Sequence, residues 1–200
     1  MIIKLLYSIQ TIESVFKIMS IKINYLKKSS GKTSGNVVLF TDEEFNIDSL
    51  KKYLSNSEFS YISDLLKSSD LKKDLLFFKV NSKKTVFLVS IKNDIKISDI
   101  ENLGAKFHGY INYDKKIEYF VNSDTINNNI IKNFVGYFLH GLKLKSYEFN
   151  IYKSNKNKKI ISINVIGNKN KISAQDHLRF KALEEGSFFA RDLVSEPGNI

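Results

Sequence analysis

The sequence predicts an α/β domain, a mixed β-sheet flanked by helices, and three patterns predict it. Short runs of alternating or β-branched residues recur along the chain, helical stripes stand between them, and one pair of apolar runs is separated only by the polar stretch NSKK.

Taken in order, Ile21, Ile23 and Tyr25 alternate with Lys22 and Asn24, the period of a half-buried strand. Positions 27–35 are polar with glycine at Gly31 and Gly35, a loop. Val37 to Phe40 is a continuous apolar run suited to a strand covered on both faces, closed by Asp42, Glu43 and Glu44. Leu50, Tyr53 and Leu54, then Ile62, Leu65 and Leu66, have helical spacing, with the turn-like SNSEFS between them. Leu75 to Val80 and Thr85 to Ile91 read as a β-hairpin across NSKK.

Ile100, Leu103 and Phe107 mark a weaker helix within 97–110, and Ile117 to Val121 a further strand. Ile131, Phe134, Val135, Phe138 and Leu142 form an amphipathic helical stripe. It runs into an extended segment with Tyr147, Phe149 and Tyr152 alternating, a solvated turn at 154–159, and a buried strand from Ile160 to Ile166. A last helix spans about Ser173 to Val194, where Ser173 and Asp176 resemble a capping box with Asp in place of Glu or Gln. Leu178, Ala182, Gly186, Ala190 and Leu193 form a stripe on it whose small members suit close packing. Pro197 disfavours helical geometry at Glu196, so a turn is expected there.

Residues 1–18 are apolar but interrupted by Lys4, Gln10 and Glu13, with no small-x-small cleavage site. They read as a non-structural leader or a misplaced start ahead of Met19. A domain over 19–171 and a linking helix over 172–200 complete the division. No apolar run reaches the ~18 residues of a membrane span, and the absence of cysteine removes disulfides, thiolate metal sites and thiol nucleophiles and suits a cytoplasmic location.

The net charge of +10 invites a nucleic-acid reading, yet only Arg179 and Arg191 are arginines, and base-edge readout favours arginine. Abundant Lys, Asn and Ile together look more like the amino-acid bias of AT-rich coding.

Of sites for chemistry there is little. His108, His140 and His177 lie in unrelated elements, none in an H-E-x-x-H pair. The acidic Asp42, Glu43 and Glu44 read as a charged strand end, since a hard cation needs ligands from other segments too. No G-x-S-x-G elbow or phosphate-cradling glycine loop occurs.

Two segments add a resemblance. Gly186, Ala190, Arg191, Asp192, Leu193, Glu196, Pro197 and Asn199 occupy the positions of a helical glycine followed by A-R-D-L-x-N-E-P-x-N, with Ser195 in place of the Asn. Gly141, Tyr147, Phe149, Tyr152 and Lys153 fit G-x5-Y-x-F-x2-Y-K. Both patterns resemble those of the leucyl (cytosol) aminopeptidases, the first opening the catalytic part and the second lying late in a macro-domain-like N-terminal domain. The resemblance covers roughly the last 60 residues. It implies a homohexameric metallopeptidase that removes N-terminal residues from peptides. Two divalent metals, Mn or Zn, would be held by a C-terminal domain whose N-T-D-A-E-G-R motif these residues lack. No catalytic, metal or substrate-binding residue is expected in this chain. The other readings are a basic module that binds nucleic acid weakly and, through the macro-domain likeness, an ADP-ribose pocket.

Overall fold

The computed structural model describes residues 21–26, 31–113, 117–126, 131–149, 160–169 and 172–196. The expected features at 1–18, 27–30, Tyr152, Lys153, 154–159, Pro197 and Asn199 lie outside them.

The chain starts with β1 (Ile21–Tyr25) and β2 (Asn36–Asp42). β2 is buried throughout except Asp42, because it is paired on both sides and covered on both faces. The acidic strand end is used locally: the Asp42 carboxylate accepts from Asn46 N at 2.8 Å, and its carbonyl accepts from Phe45 N. Phe45 is buried at φ 58°, an uncommon conformation for a bulky residue that the turn imposes.

A 3-10 turn (Asp48–Tyr53) leads to α1 (Asn56–Leu66). SNSEFS, expected to be a turn, is instead the start of this helix. Ser55 is its N-cap, Ser55 Oγ accepts from Glu58 N at 3.2 Å, and Glu58 Oε2 accepts from Ser55 N at 2.9 Å. That is a complete capping box, and its polar residues are what made the stretch look like a turn.

β3 (Leu75–Lys79) and β4 (Thr85–Ile91) form the expected hairpin, and Asn81 Oδ1 accepts from Lys83 N and Lys84 N to shape its turn. There follow α2 (Ile97–Tyr113), β5 (Glu118–Asn122), α3 (Phe134–Lys145), β6 (Ile161–Ile166) and α4 (Ala174–Ser195).

The strand order is β1-β6-β5-β2-β4-β3, parallel throughout except for β3, which is antiparallel to β4 at one edge. Asn36 ties the centre together: its amide donates to Glu118 O and its side-chain oxygen accepts from Thr85 N, so one residue at the start of β2 spans to both neighbours.

The alternation of β2 divides the core. Val37 and Leu39 pack with Leu50, Leu54, Ile62 and Leu88 under α1. Val38 and Phe40 pack with Phe87, Phe107, Phe134 and Phe138 under α2 and α3. The fold is thus three layers, with helices on both faces of a mixed sheet.

The α2–α3 contact depends on two glycines. A Cβ at Gly104 would lie 1.8 Å from Phe138 O, and one at Gly141 1.9 Å from Glu101 O. Ile131 of the expected amphipathic stripe lies ahead of α3, and on the helix the stripe proves incomplete: Gly136, Leu139, His140 and Gly141 are buried as well. The helix lies between α2 and α4 and has almost no solvent face. No helix among the described residues is long and apolar enough to cross a membrane.

Candidate functional site

The described part of the two resemblance segments converges where the end of α3 meets the C-terminal half of α4. Tyr147 is the centre. Its hydroxyl donates to Asp192 Oδ1 at 2.8 Å, its ring lies 5.5 Å from that of Phe188, and the Arg191 guanidinium sits 5.4 Å over the ring. Phe188, Arg191 and Asp192 are i, i+3 and i+4 on one helix, the spacing that lets three side chains converge on one ring.

Arg191 also donates to Leu144 O at 2.7 Å, a carbonyl in the last turn of α3, where a cation is favoured by the helix dipole. Burial and the Asp192 carboxylate push the Tyr147 hydroxyl up from its ordinary value, so it stays a donor through the physiological range. Arg191 and Asp192 therefore do not pair with each other. They hold the chain just after α3.

One turn pair earlier on α4 lies a buried polar cluster that sequence patterns missed. Glu184, 4 % exposed, accepts on Oε2 from Lys143 Nζ at 2.9 Å and places Oε1 3.2 Å from His140 Nδ1. Phe180 packs on His140 and edge-on to Tyr137, and its ring occupies the space that Gly136 leaves: a Cβ there would lie 2.6 Å from it. Burial, and then the charge of Glu184, push the Tyr25 hydroxyl up. The only signal in the sequence was His140 and Lys143 at i, i+3 on a helix, which names no partner.

At the start of α4 the half-box is present. Ser173 Oγ accepts from Asp176 N and donates to Asp176 Oδ2, and Asn133 Nδ2 donates to the same carboxylate at 2.8 Å. The Ser173 hydroxyl is the main cause holding the Asp176 carboxyl below its usual range.

The other expected residues fall elsewhere. Gly141 serves the α2 crossing. Glu196 is extended at φ −72°, ψ 136°, ending the helix as the following proline requires. Phe149 is half-buried. The small-residue stripe is a correction. Gly186 has open space where a Cβ would be, and Leu178 and Leu193 are 66 % and 57 % exposed. α4 docks through Phe180, Glu184 and Phe188 instead. On a helical wheel Leu178, Ala182, Leu183, Gly186, Phe189, Ala190, Leu193 and Val194 share an outward arc of roughly 160°, in which the exposed Arg179 is the charged member.

Of the histidines, His108 is buried on α2, and burial holds its imidazole below the usual value; His177 meets Tyr25 edge-on. Among the described residues no group of three or more His, Cys, Asp or Glu side chains is placed to hold a metal ion.

A scan against protein-family models finds none that matches the chain, and a search of curated proteins finds no match either.

Proposed function

We propose that these residues are the non-catalytic N-terminal part of a metal-dependent leucyl aminopeptidase, acting on peptides with a free N-terminus. The observation that carries the reading is the Tyr147 clasp. Two separately recognised motifs, far apart in sequence, have their central residues in contact, Tyr147 from one with Arg191 and Asp192 from the other.

The outward apolar arc of α4 agrees with it. Such a helix docks one face, through Phe180, Glu184 and Phe188, on the domain behind it and leaves its largely apolar outward arc for a second body, here a catalytic domain carrying the two divalent metals. The role of these residues is then to fix the orientation of α4, and with it that domain, in a homohexamer.

Reading the coding sequence past codon 200 and assaying its product tests this. The downstream sequence should encode N-T-D-A-E-G-R, and the whole protein should release leucine from leucyl-4-nitroanilide only with Mn or Zn. The 200-residue chain alone should not. A downstream sequence without the motif, or a longer protein inactive with metal, would sink the reading.

A further inference from the structure

The β3 edge of the sheet carries a second kind of surface. Between the segment leading into β3 and the outer side of α2 lies an open cleft of about 800 Å³, whose walls include Lys72, Lys73, Asp74, Lys106 and Tyr110. Asp74 is ion-paired with Lys106, which cancels the acidic group and leaves Lys72 and Lys73 as the excess charge; neither has an ion-pair partner among the described residues. The nearby Asp70 carboxylate accepts from Lys72 N and keeps its charge, so Lys72, Lys73 and Lys106 against Asp70 and Asp74 leave a net positive cleft.

Beside the lysines stand two aromatic rings in solvent. Phe77 is 44 % and Tyr110 38 % exposed, with ring centroids 5.3 Å apart. Apolar exposure there is costly for a free surface, and Phe77 sits on the edge strand, where charged or short residues are the usual protection. Gly109, with nothing within 4 Å of its Cβ position, keeps the α2 wall low next to Tyr110. Lys79, exposed two residues beyond Phe77 on β3, extends the positive charge along the same side of the strand.

Lysines alone bind any polyanion. Lysines alternating with exposed rings fit a narrower class, a single strand whose phosphates meet the ammonium groups while a base stacks on the ring. A duplex hides its base faces, and an acidic peptide offers nothing planar to stack. Readout of base edges is not expected, since no arginine lies in the cleft. We propose that this sheet-edge cleft binds single-stranded nucleic acid with little sequence preference, Lys72 and Lys73 holding backbone phosphates and Tyr110, backed by Phe77, stacking a base. This does not depend on the peptidase reading.

The test is fluorescence anisotropy of a short labelled oligo(U) across a salt series, with circular dichroism confirming that each variant folds. The protein should bind at low salt and lose affinity as salt rises. Lys72→Glu with Lys73→Glu should weaken binding more than 10-fold and flatten the log–log salt slope by about 1.4, two phosphates at about 0.7 each. Tyr110→Ala should weaken it roughly 10-fold while leaving that slope unchanged, as loss of stacking does. Lys51→Glu with Lys52→Glu, an equal charge change on the opposite layer, should have little effect. The proposal is overturned by no binding at low salt, by equal losses from the two lysine pairs, or by a neutral Tyr110→Ala together with equal competition from poly-glutamate.

Discussion

Tyr147 is held in two ways, by a hydroxyl and by a ring, and substitution separates them. Tyr147→Phe keeps the contacts to Phe188 and Arg191 and removes the hydroxyl's bonds to Asp192 and Ser195, so urea denaturation should show a loss of about 1 kcal/mol. Glu184 is a harsher case. Its carboxylate is the acceptor for Lys143 and faces His140 in a site nearly closed to water. Glu184→Ala leaves the Lys143 ammonium, itself 14 % exposed, without its anion, and a loss of about 3 kcal/mol is expected. Replacing all three by well-packed apolar residues should cost far less, since a buried ion pair is destabilising chiefly when half of it is removed. Equal losses from the single and triple variants would show that Glu184 acts only by filling space.

The helices differ in what they ask of their glycines. Gly141 and Gly104 let α2 and α3 approach until backbone meets backbone, and no side-chain movement can relieve a Cβ at 1.9 Å from a carbonyl oxygen. Gly141→Ala should therefore lower stability by about 3 kcal/mol, read as a fall in thermal midpoint, whereas Gly186→Ala on α4 should be neutral or slightly stabilising. α4 gives a matching contrast between its faces. Phe180→Ala empties a buried site and should cost about 3 kcal/mol, while Phe189→Glu and Leu193→Glu on the outward arc should stay within about 0.5 kcal/mol in this chain. In a protein where a second domain covers that arc, the same two charges should become strongly disruptive.

Over the whole molecule, His108 and Glu58 contribute to the response to acid beside Asp176 at the start of α4. The folded state holds His108 below its ordinary value because burial disfavours the imidazolium. Glu58 is also held low: burial opposes this, but the Lys84 bond at 2.8 Å and the Ser55 amide outweigh it. In both cases the unfolded chain binds protons first. His108 thus contributes stability that is complete above about pH 6.5 and lost as pH falls through its lower folded value. Glu58 does the same below about pH 4.3. Denaturation midpoints should decline in two stages on acidification, and His108→Gln should abolish the earlier one while leaving the later. An unchanged first stage in that variant would place the proton uptake elsewhere.

Every strand from Ile21 to Ile166 was legible from its own residues, because a period of two or a β-branched run is local information. So was the end of α4 at Glu196, imposed by the next residue. The start of α1 was written in the sequence too, as Ser55 and Glu58 three apart, but the polar composition around them reads equally well as a turn until the helix is seen. Local pattern could not choose between the two faces of α4. Its small-residue stripe and its Phe180–Glu184 face both repeat at helical spacing, and only the position of α3, with Gly136 making room and His140 and Lys143 waiting for a carboxylate 41 to 44 residues later, decided which one turned inward. The amino-acid sequence by itself thus determined the elements and their class, since those follow from neighbours along the chain. The clasp on Tyr147, the buried Glu184 and the basic aromatic cleft were decided by tertiary structure, because each is a meeting of segments that no sequence period connects.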